Sequence, residues 1–207
     1  MDFSTYEKHY YKDNNLPIIF HYDVVTTKTN VFLHWHENIE ILFFMKGKGT
    51  VLCDLNTINA EAGDIVIING NELHSISAVT DQTEYYCLII AAEIYEEYIH
   101  NINHTLFQNL ITKDNKAESI IKNIAEEFKH KNIVYQASVR SHIISLMVHL
   151  VRSYSINPSF LSKGHKKNNR VQLVKDALSY MKNNYTSDFS IDDLCKYIGF
   201  SKFYFCR

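Results

Sequence analysis

The sequence predicts an α+β chain in which short strands come first and helices follow. Three observations carry this expectation. Between Pro17 and Ile90, runs rich in Ile, Val, Phe and Tyr alternate with turn residues at Gly47-Lys-Gly49, Asn56, Gly63 and Asn69-Gly-Asn71, the pattern of a barrel or sandwich. From Glu93 onward the apolar spacing becomes helical. The last eighteen residues, Ser190 to Arg207, read as a helix, a glycine turn and a second helix.

The elements follow in order. Residues 1–16 form a polar arm with Tyr6, Tyr10 and Tyr11 among charges. Strands are expected at 31–36, 39–46, 50–55, 64–68, 73–77 and 84–90. Ile94, Tyr98 and Ile99 suggest one short helix, and Leu106 with Leu110 another. Ile120, Ile121, Ile124 and Phe128 form a helical stripe, as do Val139, Ile143, Leu146 and Leu150. Ile144, Val148 and Val151 lie beside that second stripe, so its helix must be covered on two sides. The cover is either the domain itself or a second subunit, and a homodimer through residues 117–154 is expected. Residues 156–169, with Asn157-Pro158, Gly164 and the basic run His165-Lys-Lys167, form a linker. Helix resumes at Arg170, with Val171, Val174, Leu178 and Met181 on one face. Ser190 caps the next helix, Asp193 completes a capping box, Gly199 ends it and Ser201 caps the last.

Composition narrows the function class. Six Gly and two Pro in 207 residues argue against a disordered or linker-rich chain. No apolar run approaches the length of a membrane span, and the polar start MDFSTYEKHYYKDNN is not that of a signal peptide. The four cysteines, Cys53, Cys87, Cys195 and Cys206, form no C-x-x-C pair and read as reduced thiols of a cytoplasmic protein. Residues 156–207 hold nine Lys/Arg against four Asp/Glu, whereas residues 1–155 hold twelve against nineteen. A basic end on an acidic body suits a nucleic-acid module joined to something else.

One constellation in the strand region bears chemistry. His34 and His36 lie two apart and share a strand face. Glu40 has the same parity, and His74 begins a later strand. Three imidazoles and a carboxylate suit a divalent first-row metal. Without one, they make a polar patch that can hydrogen-bond a small effector. Trp35 points to the opposite face and reads as packing.

The spacing His34-x-His36-x3-Glu40-x6-Gly47, then Gly63-x5-Asn69-x-Asn71-x2-His74, resembles the two cupin motifs. Asn69 and Asn71 depart from the Pro and Gly usual in cupins. With helices and a helix-turn-helix behind it, the chain resembles AraC/XylS transcriptional regulators. The implied organisation is a cupin (double-stranded β-helix, or jelly-roll) at 1–92, dimerisation helices at 93–155, a linker at 156–169 and a partial helix-turn-helix domain at 170–207. The resemblance implies a non-enzymatic, ligand-responsive regulator that senses a small metabolite such as a sugar through His34, His36, Glu40 and His74. It places Ser201, Lys202, Phe203, Cys206 and Arg207 at the DNA. Two helix-turn-helix units of that family occupy roughly 100 residues, within the range of a small domain, so DNA binding is expected only with further C-terminal residues restored. No cofactor is expected. The alternative is a transition metal on the same four side chains, in a cupin metalloenzyme such as a dioxygenase or isomerase. A third reading is a dimerising fragment without DNA binding.

Overall fold

The computed structural model describes residues 6–13, 15–99, 105–156, 169–187 and 189–205. Its first strands are β1 (Ile18–Val25), β2 (Val31–His34), β3 (Ile39–Lys46), β4 (Lys48–Cys53), β5 (Asn56–Glu61), β6 (Asp64–Ile68), β7 (His74–Ala78) and β8 (Thr83–Ile90). Then come β9 (Leu106–Phe107), β10 (Leu110–Thr112), helices α1 (Asn115–His130) and α2 (Tyr135–Tyr154), and β11 (Ser155–Ile156). The described C-terminal helices are α3 (Asn169–Asn184), α4 (Ile191–Ile198) and α5 (Lys202–Phe205).

Two antiparallel sheets face each other. One has the order β1-β8-β3-β6-β10, the other β2-β7-β4-β5. Leu42, Phe44, Val66 and Tyr85 of the first meet Val51, Ile58 and Ile76 of the second to fill the barrel. The other face of the first sheet, with Ile41, Phe43, Ile65, Ile67 and Leu88, is covered by α1 and α2. β3, β6 and β8 are thus buried on both sides, which is why their sequences are nearly unbroken apolar runs.

The structure departs from the sequence expectation in four places. Leu106 and Leu110 lie in strands, not a helix: β10 extends the barrel sheet beside β6, and β9 pairs with β11. The barrel sheet therefore runs on to Thr112 rather than ending at residue 92. β1 and β5 were absent from the expected strands. In β1 only the two end residues, Ile18 and Val25, are buried, and β5 buries only Ile58 and Ala60. Ile156 belongs to β11 rather than to a linker; the rest of the expected linker, 157–168, lies outside the described residues.

The fourth departure concerns α2. Leu146 and Leu150 are fully buried in the chain's own core, so they cannot serve a dimer interface. Ile144 and Val148 remain half-buried on the other side. Asp114 ties the helices to each other. One oxygen caps α1 by accepting from Lys116 N and Ala117 N at 2.9 and 3.0 Å. The other accepts from His149 Nε2 and Tyr154 Oη of α2 at 2.7 and 2.6 Å.

At the C-terminal end, Ser190 Oγ accepts from Asp193 N at 3.2 Å and Asp193 accepts from Ser190 N at 2.9 Å. Gly199 ends α4 at φ 72°, a conformation only Gly adopts cheaply.

Candidate functional site

The site forms where β2, β3 and β7 begin or end. His34 closes β2 and pairs with His74, the first residue of β7. The register shift between Val31 and His34 turns the end of β2 inward. Glu40 enters from the inner face of β3, flanked by Ile68 and Ile89. The structure brings together His34, His36, Glu40 and His74: one donor atom from each lies within 4.8 Å of every other. His36, Glu40 and His74 are 1%, 4% and 0% exposed.

The hydrogen bonds set the chemistry of the imidazoles. His34 Nδ1 lies 2.8 Å from Phe32 O, His36 Nδ1 3.0 Å from Asn38 O, and His74 Nδ1 2.8 Å from Glu72 O. A carbonyl only accepts, so each Nδ1 carries the proton. Each ring therefore turns its Nε2 to the site, the atom that serves as a metal ligand once it gives up any proton; at His34, burial is outweighed by Glu7, the Phe32 carbonyl and Glu40, which hold it above the usual imidazole range. His36 Nε2 is 2.9 Å and His74 Nε2 3.2 Å from Glu40 Oε2. Despite that approach, His74 Nε2 makes no hydrogen bond and is fully buried. Burial opposes charge on Glu40, but His36 and His74 outweigh it and hold the carboxyl well below its usual range. Burial holds His36 below the usual imidazole range. Metal binding displaces ring protons, and three Nε2 atoms and a carboxylate oxygen then converge within 4.8 Å of one another, the donor set of a divalent first-row cation. The four residues therefore fit a divalent cation.

The N-terminal arm covers the site. Tyr6 bridges to Trp35, and Glu7 N donates to Trp35 O at 2.9 Å. This places Glu7 Oε2 3.1 Å from His34 Nε2 and 3.8 Å from His9 Nε2. The His9 ring stacks at 4.5 Å on His36. Asn38 Nδ2 donates to His9 Nδ1 and to Tyr11 Oη. Sequence reading missed Glu7 and His9, although their i, i+2 spacing in an extended segment was a usable signal. It also missed Cys87, whose thiol donates to Glu40 at 3.4 Å and which burial pushes well above the ordinary range.

Asn69 and Asn71, the departures from the cupin motif, have structural work. The Asn69 amide accepts from Phe107 N and donates to Phe107 O, at 2.7 and 3.1 Å, pinning β9. Asn71 has φ 66°, where Asn is among the few substitutes for Gly. Gly70 between them is required by space: a Cβ there would lie 2.3 Å from Glu37 O.

Trp35 faces away from the imidazoles and is held on two sides. The Tyr6 ring lies 4.6 Å from it, and Lys175 of α3 is placed over it at 5.0 Å. Lys175 Nζ also donates to Asn71 O. Of the residues expected at DNA, Ser201 Oγ accepts from Tyr204 N at 3.3 Å as a cap. Lys202 pairs with Asp192 at 3.3 Å, and Phe203 is 76% exposed. Cys206 and Arg207 lie outside the described residues.

Comparison with known proteins bears on this barrel. The profile of the AraC-like ligand binding domain matches residues 17–147. The chain belongs to that family. This AraC-like chain is 24% identical over 185 residues to the uncharacterized HTH-type transcriptional regulator YbfI of Bacillus subtilis (strain 168), covering 84% of itself and 63% of YbfI. It is 21% identical over 210 residues to the uncharacterized HTH-type transcriptional regulator YdeC of the same organism, covering 93% of itself and 70% of YdeC. The AraC-like chain thus spans 63% of the length of YbfI. Among solved structures it is similar to a Cupin 2 conserved barrel domain protein from Salinispora arenicola CNS-205, at 24% identity and a TM-score of 0.36 over 41% of this chain and 72% of that one. A cupin-like protein from Thermotoga maritima gives 20% identity and a TM-score of 0.37 over 40% and 65%. No helix among the described residues is long and apolar enough to cross a membrane.

Proposed function

We propose that the chain is the sensing part of a ligand-responsive transcription regulator, whose barrel site reports to a C-terminal helix-turn-helix. Trp35 is the observation that carries this reading. His34 and His36 face the site, while the residue between them holds both the arm, through Tyr6, and α3, through Lys175. A change in occupancy of the site acts on one segment to which both the arm and α3 are attached. The regulator relatives support the reading.

A divalent transition-metal ion suits this site better than a sugar. Pockets for organic ligands run to roughly 300 Å³ or more, whereas the four donors here lie within 4.8 Å of one another. His34, His36 and His74 would hold the ion through Nε2 and Glu40 through a carboxylate oxygen. The ion would supply positive charge and a fixed geometry. A metalloenzyme on the same residues needs an open coordination position; the arm's Glu7, at 3.1 Å from His34, disfavours that alternative. Homodimerisation through Ile144 and Val148 of α2 completes the reading.

The test selects DNA sequences with the product of the intact gene, in the presence of Zn²⁺ or of a chelator. Enrichment of a sequence whose affinity shifts with metal supports the proposal. No enrichment in either condition refutes it.

A further inference from the structure

We infer that Glu7 of the N-terminal arm is a fifth ligand of the cation, so that metal binding fastens the arm to the barrel. The inference rests on the metal reading above and adds a residue outside the four barrel ligands. Its basis is geometric. Ligands about 2.1 Å from one ion and at right angles to each other lie roughly 3.0 Å apart. His36 to Glu40 is 2.9 Å, His74 to Glu40 is 3.2 Å, and Glu7 to His34 is 3.1 Å. Glu7 thus has to His34 the spacing that Glu40 has to the other two imidazoles, and it lies within 4.8 Å of His9 and His36 in a second donor group that shares His36 with the first.

Three further features converge on Glu7. Its backbone is fixed beside the site strand by the Tyr6–Trp35 bridge and the bond from Glu7 N to Trp35 O, so its carboxylate is delivered by main-chain pairing. His9 accepts from Asn38 at Nδ1, which leaves its proton on Nε2. That Nε2 is buried, has no hydrogen-bond partner and lies 3.8 Å from the Glu7 carboxylate. It is placed to donate to Glu7 once the carboxylate turns to the ion, as outer partners orient metal ligands. Charge gives the third argument. Three neutral imidazoles with Glu40 and Glu7 balance a divalent cation to zero, the state least costly to bury.

The experiment uses the whole chain, freed of metal and titrated with Co²⁺ by calorimetry. Visible absorption reads the coordination number, and hydrogen exchange reads the arm at residues 6–13. The wild type is expected to bind one Co²⁺ with a five-coordinate spectrum and to gain exchange protection in the arm. Glu7→Ala and Glu7→Gln are expected to weaken binding by about tenfold or more, move the spectrum toward four-coordinate, and lose the metal-dependent protection. Glu7 is half-exposed, so the metal-free variants should keep the wild-type melting temperature. If the variants match wild type in affinity, spectrum and protection, the role of Glu7 is refuted and the barrel site stands. If wild type and Glu40→Ala alike bind no Co²⁺, the metal reading fails and this inference with it.

Discussion

Val134 has φ 59° at the N-cap of α2, a left-handed conformation that costs a side-chain-bearing residue about 1–2 kcal/mol. The residue is 72% exposed, so replacement forfeits little burial. Val134→Gly should stabilise the chain by several tenths of a kcal/mol, the relieved strain being offset in part by the entropy of Gly; thermal unfolding measures it. Asp114 makes the opposite case. Desolvation works against its charge, but Tyr154, the Ala117 amide and His149 outweigh it and bring the carboxyl down to about 2. A depressed carboxylate stabilises the fold fully above its unfolded value near 3.8 and loses that contribution as pH falls toward 2. Asp114→Ala should lower stability at neutral pH by about 1–2 kcal/mol through the cap alone. It should also flatten the loss of stability between pH 4 and 2, checked by denaturant melts across that range.

Among elements, α2 separates fold from assembly. Leu150→Ala removes a fully buried side chain and should cost about 2–5 kcal/mol. Leu146→Glu puts a charge in the same core and should unfold the chain rather than yield monomers. Val148→Glu should leave the melting temperature within a few degrees and convert dimers to monomers, read by light scattering; a dimer surviving that change rules out this face of α2. The same contrast explains what was legible in the sequence. β3, β6 and β8 announce themselves because both faces are buried. The pair His34 and His36 shows by strand parity alone, and the capping box at Ser190 by local hydrogen bonding. β9 and β10 did not show, because pairing with β11 and β6, not local propensity, makes Leu106 and Leu110 extended. Glu7 and His9 were only partly legible: their i, i+2 spacing is a signal, but an arm takes its conformation from the barrel it lies on, and nothing local shows which strand it meets.

At the scale of the molecule, Trp35 joins three parts: the arm through Tyr6, the site through its neighbours, and α3 through Lys175. Trp35→Ala should speed tryptic cleavage at Lys175 and in the arm at Lys8. A variant cleaved at the wild-type rate at both would show that Trp35 holds neither element. The arm is also secured farther along: Gln136 and Arg140 of α2 donate to Asp13 and to Asn15 O. Within the arm, loosening should therefore be confined to the part before Asp13, leaving cleavage at Lys12 at the wild-type rate.

The alternation of His34, Trp35 and His36 has a consequence for how such a chain can change. β2 ends at His34, and the bridge from Trp35 to Tyr6 carries the chain one residue further. The imidazoles of the candidate site and the indole that meets α3 are thus adjacent in sequence. Substitutions at 34 or 36 alter the donor set and the arm's hold together, since Glu7 meets His34 and His9 stacks on His36, whereas a change at 35 acts on the arm and on α3 and leaves the donors in place. Insertion of a single residue within the triplet is another matter. It exchanges the two surfaces at a stroke, turning an imidazole outward and the indole in, so the segment accepts replacement but not a change in length.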